Sequence, residues 1–412
     1  MNRSRSYKLL LGAALLACSG LVPSARAAPE PAAQKTALSF KLLPEAGALL
    51  ARPASPEVRL FSNIILPSSM IQLDNSTRES AFTLGQTKFT VSLADLKDPP
   101  AKKAEDYQRG TKDFLIKFEG GEARLKRTAP EAMSFEPITL KLDQGREYAL
   151  AFPYGYSTEY TTRTLGIIPV KQQRGFLAYR SGGVQQGSVG GQTISLYDSN
   201  VDGLFRPTDD CIAVGELDPK MSVFAPIAAN LATPSGVYKL QKLAEDGSAA
   251  EFLPVADKSQ TVSVSFAGAD LEVRVAVLSA EANCSFAASA AKGQAASVAV
   301  LPGKYALQYG MVYSPELKRV VATVAAGKLP PADAADAADA AGQSAMALGG
   351  PFTLEFKVSP APAGGNITIS SSNFRLSGKA GEDYANYTWA KEPEITLVSG
   401  AKSVAVGKME FG

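Results

Sequence analysis

Thr261-Val262-Ser263-Val264-Ser265-Phe266 alternates polar and apolar side chains without a break. Successive side chains of a strand point to opposite faces, so this period of two reads as a strand with one packed face and one wet face. The pattern recurs at Lys88 to Leu93, Phe114 to Glu119, Leu271 to Leu278, Phe352 to Val358 and Ile367 to Ser370. Turn dipeptides punctuate these runs: Gly120-Gly121, Asp246-Gly247, Pro302-Gly303 and Gly364-Gly365. Sustained helical periodicity is almost absent. The expected fold is therefore mainly β, a multi-domain β-sandwich or open-barrel architecture with little helix.

A chain of 412 residues has room for two or three domains. The expected division is an N-terminal β region over 36–175, a β module over 176–255 and a C-terminal β-sandwich region over 256–412. An Ala/Asp-rich stretch, 325–350, carries Asp333, Asp336 and Asp339 without basic partners and reads as a surface insertion.

The leader fixes the expected compartment. Arg3, Arg5 and Lys8 precede an apolar run from Leu9 to Val22, and Ala25-Arg26-Ala27 offers a small-x-small cleavage site. Residues 1–27 thus read as a secretory signal peptide, followed by a Pro- and Ala-rich linker at 28–35. The run is shorter than the ~20 residues that span a bilayer, and no later stretch reaches that length, so no transmembrane helix is expected in the mature chain. Leu15-Leu16-Ala17-Cys18 resembles the lipobox of bacterial lipoproteins, which implies a lipid anchor at Cys18 as the alternative to cleavage after Ala27. Both routes place the protein outside the cytoplasm: periplasmic, on the cell surface or secreted.

Composition excludes several chemistries. Histidine is absent, which removes Ser-His-Asp triads, Cys-His dyads and His-ligated zinc. Of the 42 basic residues, Arg3, Arg5, Lys8 and Arg26 leave with the leader, and the remaining 38 against 40 acidic ones make the mature chain near neutral. A nucleic-acid partner is not expected. Cys211 and Cys284 form an even pair in an exported chain, readable either as a disulfide or as two buried thiols.

One stretch carries chemistry. Asp198-Ser199-Asn200-Val201-Asp202-Gly203-Leu204-Phe205-Arg206-Pro207-Thr208-Asp209 places oxygen side chains at loop positions 1, 3 and 5, glycine at 6 and a carboxylate at 12. That is the spacing of an EF-hand loop, because Ca²⁺ takes six to eight oxygens and alternate residues of a tight loop can present them together. The expected ligands are Asp198, Asn200, Asp202, the Leu204 carbonyl and Asp209, with Ca²⁺ in a structural role. The competing reading is an ion-free turn, since the same residue types favour turns. Asp at position 12 makes the loop resemble dockerin-type calcium loops. The flanks, Gln192 to Tyr197 and Cys211 to Val214, alternate like strands rather than helices, so only the ion site carries over.

Asp209-Asp210, Ile212 to Val214, Tyr238-Lys239-Leu240 and Asp246-Gly247 extend this to a wider resemblance to uncharacterised secreted bacterial β-rich proteins over about 176–255. Gly145-x-x-Tyr148-x-Leu150, Gly236-x-Tyr238-x-Leu240 and Gly303-x-Tyr305-x-Leu307 resemble the closing strand of transthyretin-like and carboxypeptidase-regulatory-like sandwiches.

Other candidates are thinner. Phe152, Tyr154, Tyr156 and Tyr160 could form either a sugar-stacking stripe or a packed strand face. Glu382 and Asp383 are neighbours, and on a strand they point apart. The function expected from all this is a non-enzymatic envelope or surface module with a macromolecular or glycan partner. The alternative is a carbohydrate-directed protein, either a glycan-binding module or a carboxylate-based hydrolase.

Overall fold

The computed structural model describes residues 32–43, 69–71, 79–84, 87–94, 113–118, 121–125, 136–141, 146–152, 154–162, 169–207, 209–217, 222–256, 260–268, 270–291, 293–334, 343–355, 358–359, 368–369, 375–385, 394–399 and 402–408. The stretch expected as a leader, with its expected cleavage site and Cys18, lies outside them. The described chain is all β, arranged in several sheets, with no helix. Among the described residues, then, no helix is long and apolar enough to cross a membrane.

The decisive stretch is the strand Gln260–Ala267, and it behaves as its pattern requires: Val262 and Val264 are fully buried and Phe266 nearly so, while Ser263 and Ser265 are half-buried. It is the middle of three strands, antiparallel to Ala295–Val300 and parallel to Gln343–Gly349. Its inner face meets a second, larger sheet. There Val273, Val275 and Val277 of Glu272–Ser279 join Phe286, Tyr305 and Leu307 in the same core. Two sheets sharing one apolar interior is the sandwich arrangement, and each alternating strand contributes every second residue to it.

The larger sheet has twelve strands. It starts with Gln34–Ala37, Ala249–Pro254, Gly236–Leu243 and Asn230–Thr233, then continues through Cys284–Ala291, Glu272–Ser279, Gly303–Ser314 and Arg319–Ala325. Asn230 and Leu231 pair in parallel with Cys284 and Ser285, so strand pairing continues across the division expected at 255–256.

The stretch 325–350, expected as a surface insertion, is strand at both described ends. Ala332–Ala334 pairs with Gly303, Lys304 and Tyr305, and Gln343–Gly349 puts Met346 and Leu348 into the core. Alternation of Met and Leu with alanine supplies a buried face, which corrects the expectation for these segments. Asp336 and Asp339 lie outside the described residues.

A five-stranded sheet runs in the order Ala225–Pro226, Cys211–Val214, Gln192–Tyr197, Gly183–Val189, Ser39–Leu42. Tyr197 pairs with Cys211, which makes residues 198–210 the loop of a long hairpin. Nearby, Glu147–Ala151 and Ile138–Lys141 send Tyr148, Leu150 and Leu140 into a separate core with Phe89, Val91 and Ile116. Cys211 and Cys284 are both buried and unbridged. They sit in different core clusters, Cys211 beside Tyr197 and Phe224, Cys284 beside Phe286 and Tyr305. Of the two readings left open by the sequence, the structure holds the buried thiols.

Candidate functional site: the hairpin loop 198–210

The loop winds around the Asp198 carboxylate, which is fully buried. Asp198 Oδ1 accepts the N–H of Val201 at 2.7 Å and of Asp202 at 3.3 Å. Its Oδ2 accepts the N–H of Gly203 at 2.7 Å and the hydroxyl of Tyr148 at 2.7 Å. Further turns repeat the device: Asn200 Oδ1 accepts from Asp202 N–H at 3.1 Å, and Asp202 Oδ1 from Leu204 N–H at 2.8 Å. Short polar side chains capturing the backbone two or three residues on is the physics that makes Asx-rich segments close into loops.

A second buried carboxylate, Asp210, ties the ends together. It accepts Ser199 N–H at 2.9 Å and Arg206 N–H at 2.7 Å. The Ser199 hydroxyl donates to the Asp209 carbonyl. Arg206 also reaches Asp202 Oδ2 at 3.2 Å, a partly exposed i,i+4 pair.

The loop locks into its surroundings through side chains that leave it in different directions. Val201, 3% exposed, enters the core that holds Phe89, Tyr148 and Phe152. Phe205, 4% exposed, enters a different core with Ile194, Leu231 and Phe252. Val201 does so at φ 60°, a conformation unfavourable for a β-branched residue and held here by its N–H bond to Asp198 and its burial. Beneath Phe205, Gly247 at φ 71° leaves the space its ring fills: a Cβ there would stand 2.5 Å from Phe205 Cδ2. From outside, Arg146 donates to the Gly203 carbonyl at 2.5 Å and to the Asp246 carbonyl at 3.2 Å.

The electrostatics are those of crowded acids. Burial raises Asp198 to about 6, reinforced by Asp202 and opposed by the hydrogen bonds from Tyr148, Gly203 and Val201. Burial likewise raises Asp210 to about 7, with Asp198 and Asp202 adding to the rise. Burial also pushes the Tyr148 and Tyr197 hydroxyls well up, and holds the Arg180 guanidinium below its ordinary value. Both aspartates stand above their unfolded values. The stability they contribute is therefore fully present below about pH 4 and lost as pH rises through their folded values. At neutral pH the ion-free loop carries charge that it does not fully compensate.

The donor set fits a hard divalent cation in type and order: Asp198, Asn200, Asp202 and the Leu204 carbonyl fall at positions 1, 3, 5 and 7, all oxygen. Two features differ from a full EF-hand shell. Asp209 is exposed, and the carboxylate turned into the loop is its neighbour Asp210. Among the described residues, moreover, no three Asp, Glu, Cys or His side chains gather closely enough to hold a metal by themselves. An ion here has to draw on Asn200 and on backbone carbonyls as well.

Tyr148 and Arg146 escaped sequence reasoning because nothing local links them to residues some fifty positions away; Asp210 was visible only as a neighbour of Asp209. No family model matches the chain, nor does any curated protein or solved structure. The reading of the loop thus rests on its own geometry.

The other candidates resolve as follows. Phe152 is fully buried in the core, while the side chains of Tyr154, Tyr156 and Tyr160 lie outside the described residues. Glu382 and Asp383 do point apart. Glu382 is buried and accepts Gly349 N–H at 2.6 Å and the Tyr384 hydroxyl at 2.8 Å, whereas Asp383 pairs with Arg375 at 2.8 Å.

Proposed function

We propose that the chain is an exported, non-enzymatic β-rich protein that serves as a structural or binding module of the cell envelope or surface, with the 198–210 loop as a calcium-binding staple. One observation carries this reading. The loop plugs Val201 and Phe205 into two separate cores around two buried carboxylates, Asp198 and Asp210, whose ionisation is disfavoured first by burial and then by neighbouring aspartates. Such a loop gains from a cation in the way a folding ligand does, by stabilising the state that gathers the charges. Asp198, Asn200, Asp202 and the Leu204 carbonyl hold the ion, with the closing carboxylate supplied by the Asp209-Asp210 pair. The ion supplies positive charge and oxygen coordination, and no chemistry on a substrate.

The non-catalytic part of the proposal is supported by the want of histidine. Among the described residues, a cavity between the five-stranded and twelve-stranded sheets is walled by Leu196, Ile212, Leu231, Leu240 and Phe252, with room for about one water molecule.

Calorimetric titration of residues 28–412 with CaCl₂ tests the proposal. One site with Kd on the order of 10⁻⁴–10⁻³ M is expected, in the range of extracellular modules. It should vanish in Asp202→Ala, which removes a half-buried ligand and leaves Asp198 in place. Absence of binding in the parent chain, or unchanged affinity in the variant, contradicts the assignment.

A further inference from the structure

Residues 34–43 form one extended segment that closes two sheets at once. Gln34–Ala37 pairs antiparallel with Ala249–Pro254 at the end of the twelve-stranded sheet, and Ser39–Leu42 pairs antiparallel with Gly183–Val189 at the end of the five-stranded sheet. The segment alternates from Lys35 to Lys41, after which Leu42 is exposed and Leu43 buried. Thr36 and Leu38 are buried and Phe40 half-buried, while Lys35, Ala37, Ser39 and Lys41 are exposed.

The receiving surface is shaped for it. A Cβ on Gly183 would stand 2.2 Å from the Phe40 ring, and one on Gly187 would stand 2.5 Å from Leu38 Cδ2 and 2.6 Å from Thr36 Cγ2. Two bare glycines therefore make the trough in which these three side chains lie. Polar contacts set the register: Gly190 N–H donates to Gln34 Oε1 at 3.0 Å, Leu38 N–H to the Ser248 carbonyl at 2.8 Å, and Leu43 N–H to the Gly182 carbonyl at 2.9 Å. Thr36 Oγ1 donates to the Ser188 carbonyl, 152 positions along the chain.

Taken away, this arm would leave two strand edges open, each a row of unpaired N–H and C=O groups able to accept an incoming strand. The arm begins at Gln34, within the last two residues of the stretch expected as a linker, which are strand instead, and every contact above is with a distant part of the chain. An identical arm from another molecule would reproduce all of them, which is the condition for exchange at low cost.

We propose that Gly183–Val189 and Ala249–Pro254 form a strand-receiving groove, and that residues 34–43 of a second copy occupy it when the protein assembles. This chain's own arm is the occupant that matches the glycine trough side chain for side chain.

The test mixes two variants of residues 28–412, one carrying Ser39→Cys and the other Gln186→Cys, positions that face each other across the pairing. After brief warming and mild oxidation, a covalent dimer is expected in the mixture. It should be lost when Gly187→Val is added to the Gln186→Cys chain, because the trough is then filled. A single chain carrying both cysteines reports that the bridge can form. Monomers alone in the mixture, with the bridge closed in that double variant, overturn the proposal. So does a dimer that survives Gly187→Val.

Discussion

Asp198→Ala is expected to destabilise the protein by roughly 3–5 kcal/mol in the presence of chelator, measured by urea unfolding of residues 28–412. The size follows from what the carboxylate holds. Three backbone N–H groups and the Tyr148 hydroxyl converge on it in a fully buried position. Hydrogen bonds to a charged group contribute about 1.5–3 kcal/mol each, and the buried donors left behind carry their own desolvation cost. Loss of the turn also frees Val201 from its positive φ, so its side chain has less reason to stay in the core.

Asp198→Asn should recover part of the loss. The Tyr148 hydroxyl can rotate to accept from the new amide, but the Gly203 N–H cannot, and one donor remains facing another. A loss below about 1 kcal/mol for Asp198→Ala would show that the carboxylate is incidental to the loop.

Phe286→Ala is expected to cost about 3–5 kcal/mol, the range for an aromatic truncated in a closed core. Phe286 is fully buried on Cys284–Ala291, its ring centroid 5.9 Å from that of Tyr305 and its neighbours drawn from both sheets of the sandwich. Its strand pairs with Asn230–Thr233 on one side and Glu272–Ser279 on the other. The site cannot collapse without moving both, and the cavity stays. Urea midpoints followed by tyrosine fluorescence read the change. A cost under about 1.5 kcal/mol would mean that the two sheets repack around the gap, contrary to a tightly shared core.

The sheets were legible where alternation was strong. Val262, Val264 and Phe266 announced their strand because β-branched and aromatic residues alternate with serine. Gln343–Gly349 did not, since its inward Met346 and Leu348 are set among alanines next to an Ala-Asp run. Its place depends on parallel pairing with Gln260–Ala267, a long-range fact that no local pattern encodes. The arm was hidden in the same way: its first strand begins at Gln34, inside a stretch whose composition reads as linker.

In the loop, the Asx spacing of Asp198, Asn200 and Asp202 was readable because those side chains act on backbone two to five residues away. Which of Asp209 and Asp210 turns inward is decided by the register of Tyr197 against Cys211, and the Tyr148 contact by the packing of another sheet. Interactions local in sequence are visible in it, and those made by tertiary packing are not.

The most direct test is the thermal melt of residues 28–412 near pH 8 in millimolar Ca²⁺ and then in excess chelator. Asp198 and Asp210 are ionised there, so calcium should raise the melting temperature, and the gap should shrink near pH 5, where both hold protons in the folded state. Identical melts in calcium and chelator near pH 8 would contradict the account and leave residues 198–210 a hydrogen-bonded hairpin loop without an ion.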